Sequence, residues 1–152
     1  FLNETQIFQF VETSYNEKVQ TLSAIQESVK GTFLDRTITC RDFNNNMVTM
    51  SYSEMIIEAA KRNNISAFYI KSKIIQEVGV HGSGSVTGTY PGYEGYYNFY
   101  NYGAYDDGDD IANGLSYAKN KRWDSQYKAI VGGAELIGTY YINSRTKYSI
   151  FQ

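Results

Sequence analysis

The chain has 152 residues, with 14 Lys plus Arg against 16 Asp plus Glu and a net charge of −2. That length suits one domain with a proper core, burying about 68–70% of the surface its unfolded chain exposes, and the balanced charge argues against nucleic acid as a partner. The unusual features are 15 Tyr and 13 Gly beside a single Pro, a mixture of flat amphipathic rings and freely turning backbone that suits sugar binding.

Cys40 is the only cysteine and His81 the only histidine. No internal disulfide and no Cys/His metal cluster is therefore expected, and no cofactor follows from the sequence. The opening segment "FLNETQIFQF" lacks the basic region, apolar core and cleavage site of a signal peptide, and no run of about 18 apolar residues is present. The chain reads as a domain cut from a longer one, with no membrane insertion.

In chain order, Val19, Leu22, Ile25 and Val29 within residues 14–30 fall at helical spacing, with Gly31 to end the helix. Residues 32–49 carry three consecutive asparagines and no periodicity, which predicts an irregular stretch. "SYSE" at Ser51 to Glu54 is a capping box that starts the helix "MIIEAAKRNN". Ser66 then caps a second helix, in which Ala67, Ile70, Ile74 and Val78 share a face and Gly79 supplies the terminating left-handed turn. Beyond it the glycines and aromatics predict a small hairpin or loop lobe, with Thr89-Tyr90 and Tyr96-Tyr97 as short strands. Asp110 is placed to cap "IANGLSYAKN", and Asp124 or Ser125 to cap "QYKAIVGGAELIGTYYI", whose Gly132, Gly133 and Ala134 allow close helix approach. The pattern is α+β, mostly α, with a helical core and one small lobe between helices.

Glu77 is the first candidate for chemistry. It lies in the last turn of its predicted helix between apolar neighbours, where both the helix dipole and desolvation favour the protonated carboxyl. Such a group can protonate a glycosidic oxygen, although a glutamate at a helix end is more often a solvated surface residue. Seven tyrosines then crowd between Tyr90 and Tyr105, with Phe99 among them. They form either a sugar-stacking groove or a packing layer. Glu94, seventeen residues after Glu77, supplies the second carboxylate that glycoside hydrolysis uses, or is an exposed loop charge. The acidic run from Asp106 to Asp110 lacks the spacing of a calcium loop. "GSGSVTG" lacks the spacing of a phosphate loop, and there is no serine nucleophile motif.

The strings "IIQEVG", "GTYPGYEGYYNFYNYGAY", "IANGLSYAKNKRW" and "KAIVGGAELIGTYYI", in that order, resemble the glucosaminidase domains of Gram-positive, clostridial-type autolysins, glycoside hydrolase family 73. The resemblance implies a lysozyme-like two-lobed fold around a substrate groove. Residues 51–152 would be the glucosaminidase catalytic domain, and residues 1–50 a helical leader packed on it to form one compact unit. It implies an endo-β-N-acetylglucosaminidase that cleaves the β-1,4 bond following N-acetylglucosamine in peptidoglycan, secreted and associated with the cell wall. Glu77 would be the general acid and Glu94 the second catalytic carboxylate. Tyr93, Tyr96, Tyr100, Asn101, Asp109, Tyr140 and Tyr141 would contact the glycan strand. A monomer is expected. The competing readings are a lytic transglycosylase on the same fold and a non-catalytic peptidoglycan-binding module.

Overall fold

The computed structural model describes residues 14–105 and 108–139. The predicted first helix is short. Residues 16–19 form a turn, and helix α1 runs only over Leu22–Ser28, capped by the Thr21 hydroxyl on Ala24 N–H. Only Ile25 and Val29 of the expected apolar face are buried, while Val19 and Leu22 remain exposed. Where an irregular stretch was expected, the chain forms an antiparallel hairpin of β1, Thr37–Arg41, and β2, Met47–Ser51, with Thr39 opposite Thr49. The asparagines are its turn: Asp42 Oδ1 accepts from the N–H groups of Asn44 and Asn46, and Asn45 takes the left-handed conformation.

Helix α2, Tyr52–Asn63, starts at the predicted capping box. Ser51 Oγ accepts from Glu54 N–H, and Glu54 Oε1 accepts from Ser51 N–H, each at 3.0 Å. Helix α3, Ala67–Val78, is capped by Ser66 and ends at Gly79, whose φ is +87° but whose ψ of 166° is extended. The buried side chain of Gln20 ties the amino-terminal region to this helix, accepting from Ala67 N–H at 2.8 Å and donating to Ser14 O at 3.1 Å.

The predicted strands at Thr89-Tyr90 and Tyr96-Tyr97 do not form. Residues 79–105 consist of turns around one short 3₁₀ segment, Gly84–Val86, and the hairpin of this fold lies earlier in the chain. Helix α4, Asp110–Lys121, is capped by Asp109 rather than Asp110. Helix α5 spans 126–139 and opens into a π-helical turn over Lys128–Gly132, with Ser125 Oγ accepting from Lys128 N–H. Its Gly133 gives room to the Tyr100 ring, which a Cβ there would meet at 2.5 Å.

A single core joins these elements. Ile25, Leu34 and Cys40 pack with Met55 and Ile56 of α2, Ile70 and Ile74 of α3, and Ile130 and Ile137 of α5. Burying such side chains contributes roughly 1.5–3 kcal/mol each. No described helix is long and apolar enough to cross a membrane.

Candidate active site

Helix α3 carries Glu77 in its last turn, at the edge of the face that buries Ile70, Ile74 and Val78. Its side chain is 27% exposed, and Lys73, one turn earlier, places Nζ 3.0 Å from Oε2. The expected apolar setting is therefore incomplete, because a cation faces the carboxyl. The main-chain carbonyl of Glu77, one of those a helix end leaves unpaired, accepts from Asn101 Nδ2 at 2.6 Å.

Asn101 adopts φ +55°, a conformation asparagine tolerates better than most side chains. Its contact brings the following residue, Tyr102, towards Glu77. Burial foremost, then the neighbouring Tyr69, Tyr117 and Glu77, pushes the Tyr102 phenol far above its ordinary range. Burial thus keeps the Tyr102 phenol neutral. Its ring also meets Tyr100, Tyr117 and Trp123, forming an aromatic wall that leads away from the helix end.

The other expected residues fall in different surroundings. Glu94 is exposed on a turn, where Oε2 accepts from Gly92 N–H at 3.3 Å, and no hydrogen bond or ion pair joins it to Glu77. Tyr93 and Tyr96 are half-buried on the same turn. Tyr100 is 2% exposed, and its hydroxyl donates to Ile130 O at 2.6 Å. It belongs to the packing layer, and the expected contact with glycan is not available to it.

Asp109 has both carboxylate oxygens engaged within the fold. Oδ1 accepts from Ala112 N–H at 3.1 Å, and Oδ2 accepts from the Tyr90 hydroxyl at 2.5 Å. The Tyr90 hydroxyl, then the Ala112 amide, holds the Asp109 carboxyl below its usual range, while the same bond raises Tyr90. Asp109 therefore fastens the glycine–tyrosine segment to α4. Tyr140 and Tyr141 lie outside the described residues.

Two contributors went unnoticed in the sequence. Lys73 was legible from its four-residue spacing to Glu77. Asn98 carried no such signal. Fully buried, it donates to Tyr102 O at 2.8 Å and Gly114 O at 2.9 Å, and accepts from Tyr100 N–H at 3.2 Å. Among the described residues no group of three His, Cys, Asp or Glu side chains is placed to hold a metal ion.

No family model and no curated protein matches the chain. Solved structures do. S. aureus glucosaminidase B is 28% identical over 93% of this chain and 50% of its own, with a TM-score of 0.62. The Major Bifunctional Autolysin is 27% identical over 86% of this chain and 47% of its own, with a TM-score of 0.60. S. aureus Autolysin E is 27% identical over 82% of this chain and 49% of its own, with a TM-score of 0.57. The chain thus spans about half the length of the structures it matches. It shares the lysozyme-like, mostly helical fold of these autolysin and glucosaminidase structures, a likeness consistent with the resemblance to glycoside hydrolase family 73.

Proposed function

We propose that this chain is the catalytic domain of a secreted, wall-associated peptidoglycan hydrolase. It acts as a monomeric endo-β-N-acetylglucosaminidase on the bond following N-acetylglucosamine. Residues 51–152 are the catalytic unit and residues 1–50 its leader. The observation that carries this reading is the likeness to three autolysin and glucosaminidase structures over 82–93% of the chain, with Glu77 partly exposed at a helix end.

In this mechanism Glu77 donates a proton to the leaving glycosidic oxygen. The ammonium of Lys73 now occupies the space against Oε2, so glycan entry displaces Lys73 and lets the carboxyl face the scissile bond. Asn101 fixes the backbone from which Glu77 projects. Either Glu94, from its own turn, activates a water, or the substrate's own acetamide assists. Tyr93 and Tyr96 offer ring faces to the strand, and Tyr140 or Tyr141 steadies the acetamide.

The test is digestion of purified peptidoglycan by the wild type and by Glu77→Gln, with the new sugar ends identified by mass spectrometry. The wild type should release reducing N-acetylglucosamine. The variant should lose about 10²–10⁴-fold of the rate, the usual contribution of a general acid. Anhydro ends would instead identify a transglycosylase, and an active Glu77→Gln would remove Glu77 from the mechanism.

A further inference from the structure

A concave surface that Glu77 does not line lies elsewhere on the described residues. Two adjoining concavities of about 570 and 610 Å³ share Asn45, Arg122 and Lys128, between the hairpin turn, the end of α4 and the start of α5. Four cations line them, Lys119, Lys121, Arg122 and Lys128, against two carboxylates, Asp124 and Glu135. In a chain of net charge −2 this is a local reversal of sign.

The cations are not equally free. Lys128 Nζ is held by Asp124 Oδ1 and Asn45 Oδ1, each at 2.7 Å, and Lys121 Nζ sits 5.6 Å from the centre of the Tyr117 ring. Neither Lys119 nor Arg122 forms an ion pair with a described carboxylate. Arg122 is also held in the left-handed conformation, φ +62° and ψ +39°, as the cap residue of α4. Glycine or asparagine is the usual occupant of such a cap, so a long cation here is a conformationally unfavourable choice that a ligand would explain. A cation also complements the helix dipole at this end, but Lys119 and Lys121 in the last turn already do so.

We infer that this cradle binds the carboxylates of an acidic peptide, and that its natural occupant is the peptide stem of peptidoglycan. The inference rests on the hydrolase reading above. Trp123 lines the cradle and meets Tyr102, with centroids 6.4 Å apart, and Tyr102 follows Asn101, whose amide donates to the Glu77 carbonyl at 2.6 Å. The cradle thus lies one aromatic side chain beyond the surroundings of the proposed acid. A glycan strand held at Glu77 carries its stems to either side, and Arg and Lys are the groups that pair with their free carboxylates. Tyr96 on the rim and Phe43 against the wall offer apolar faces to the rest of the peptide.

Trp123 is the only tryptophan of the chain, so its fluorescence reports occupancy directly. Titration with N-acetylmuramyl-L-alanyl-D-isoglutamate should change the emission, with affinity falling as salt is raised. Arg122→Gly suits the left-handed cap and leaves the fold intact. Combined with Lys119→Gln, it should weaken binding about threefold to tenfold, the scale of exposed charge pairs converted to affinity. The same peptide with its carboxylates amidated should bind both proteins alike. Unchanged affinity for the acidic peptide in the double variant, or equal binding of the acidic and amidated forms by the wild type, overturns the inference. Because the titration is repeated in Glu77→Gln, it reads the cradle whether or not Glu77 is the acid.

Discussion

Replacing Tyr100 by phenylalanine separates the two roles its sequence context offers, a glycan contact or a packing element. The substitution removes one atom, the hydroxyl that donates to Ile130 O at 2.6 Å within the core. A buried hydrogen bond contributes about 0.5–1.5 kcal/mol net, and an acceptor left wholly unpaired adds about 1–3 kcal/mol. Here the second penalty is reduced, because Ile130 O also accepts from Gly133 N–H beyond the π-helical turn. The expected loss is therefore about 1–2 kcal/mol. At about 2–4 °C per kcal/mol for a domain of this size, the unfolding midpoint should fall by about 2–8 °C. Thermal and urea denaturation followed by circular dichroism measure this, alongside KM on solubilised glycan well below the transition. An unmoved midpoint together with a raised KM would refute the placement of Tyr100 and restore it to the groove.

Gly133→Ala tests the other side of the same contact. Alanine favours a helix by about 1 kcal/mol over glycine, yet its Cβ would lie 2.5 Å from the Tyr100 ring. Overpacking of about 1–3 kcal/mol should win and lower the midpoint in urea; a stabilised variant would show that the ring moves aside freely. Tyr90→Phe should alter the pH dependence of stability. The folded Asp109 pKa lies below its reference value of 3.8. Its contribution is therefore present above that value and is lost as pH falls through the lower folded one. Tyr90 is raised above 10.0, so its contribution is present below that value and is lost as pH rises through the higher folded one. Without the bond, the loss of stability below about pH 4 and above about pH 10 should become shallower. Acid and alkaline denaturation curves identical to wild type would exclude the latch.

The legible parts of this fold are those decided within four residues. The capping box at Ser51 and Glu54, the Ser66 cap and the stop at Gly79 each appear where local hydrogen bonding requires them. Glu77 was found for the same reason, since helical period and terminator together fix its turn. The hairpin was missed because its strands bury little. Of β1 only Cys40 is buried and none of β2 is, and the inward–outward alternation runs over just 5 residues in each strand, a short window for that pattern to register. Its turn is asparagine-rich, which reads equally as a loop. The Arg122 cradle was illegible because it gathers residues from the hairpin turn, the tyrosine segment and two helices.

The glycine–tyrosine segment shows why residue preference misleads when a side chain replaces the ladder. Tyrosine favours strands, yet Gly82, Gly88, Gly92 and Gly95 all take positive φ, which breaks any run of extended backbone. At Gly88 a Cβ would lie 2.2 Å from the Tyr97 hydroxyl, so the turn and the ring are fitted to each other. The backbone groups a neighbouring strand would have satisfied are met singly. Ser85 O accepts from Asn98 N–H, Trp123 O accepts from Tyr97 N–H, and the Asn98 amide serves Tyr100, Tyr102 and Gly114. One buried asparagine thereby holds both Tyr102, the neighbour of Asn101, and Gly114 of α4. An irregular loop is thereby fixed by single backbone hydrogen bonds together with those of one buried side chain.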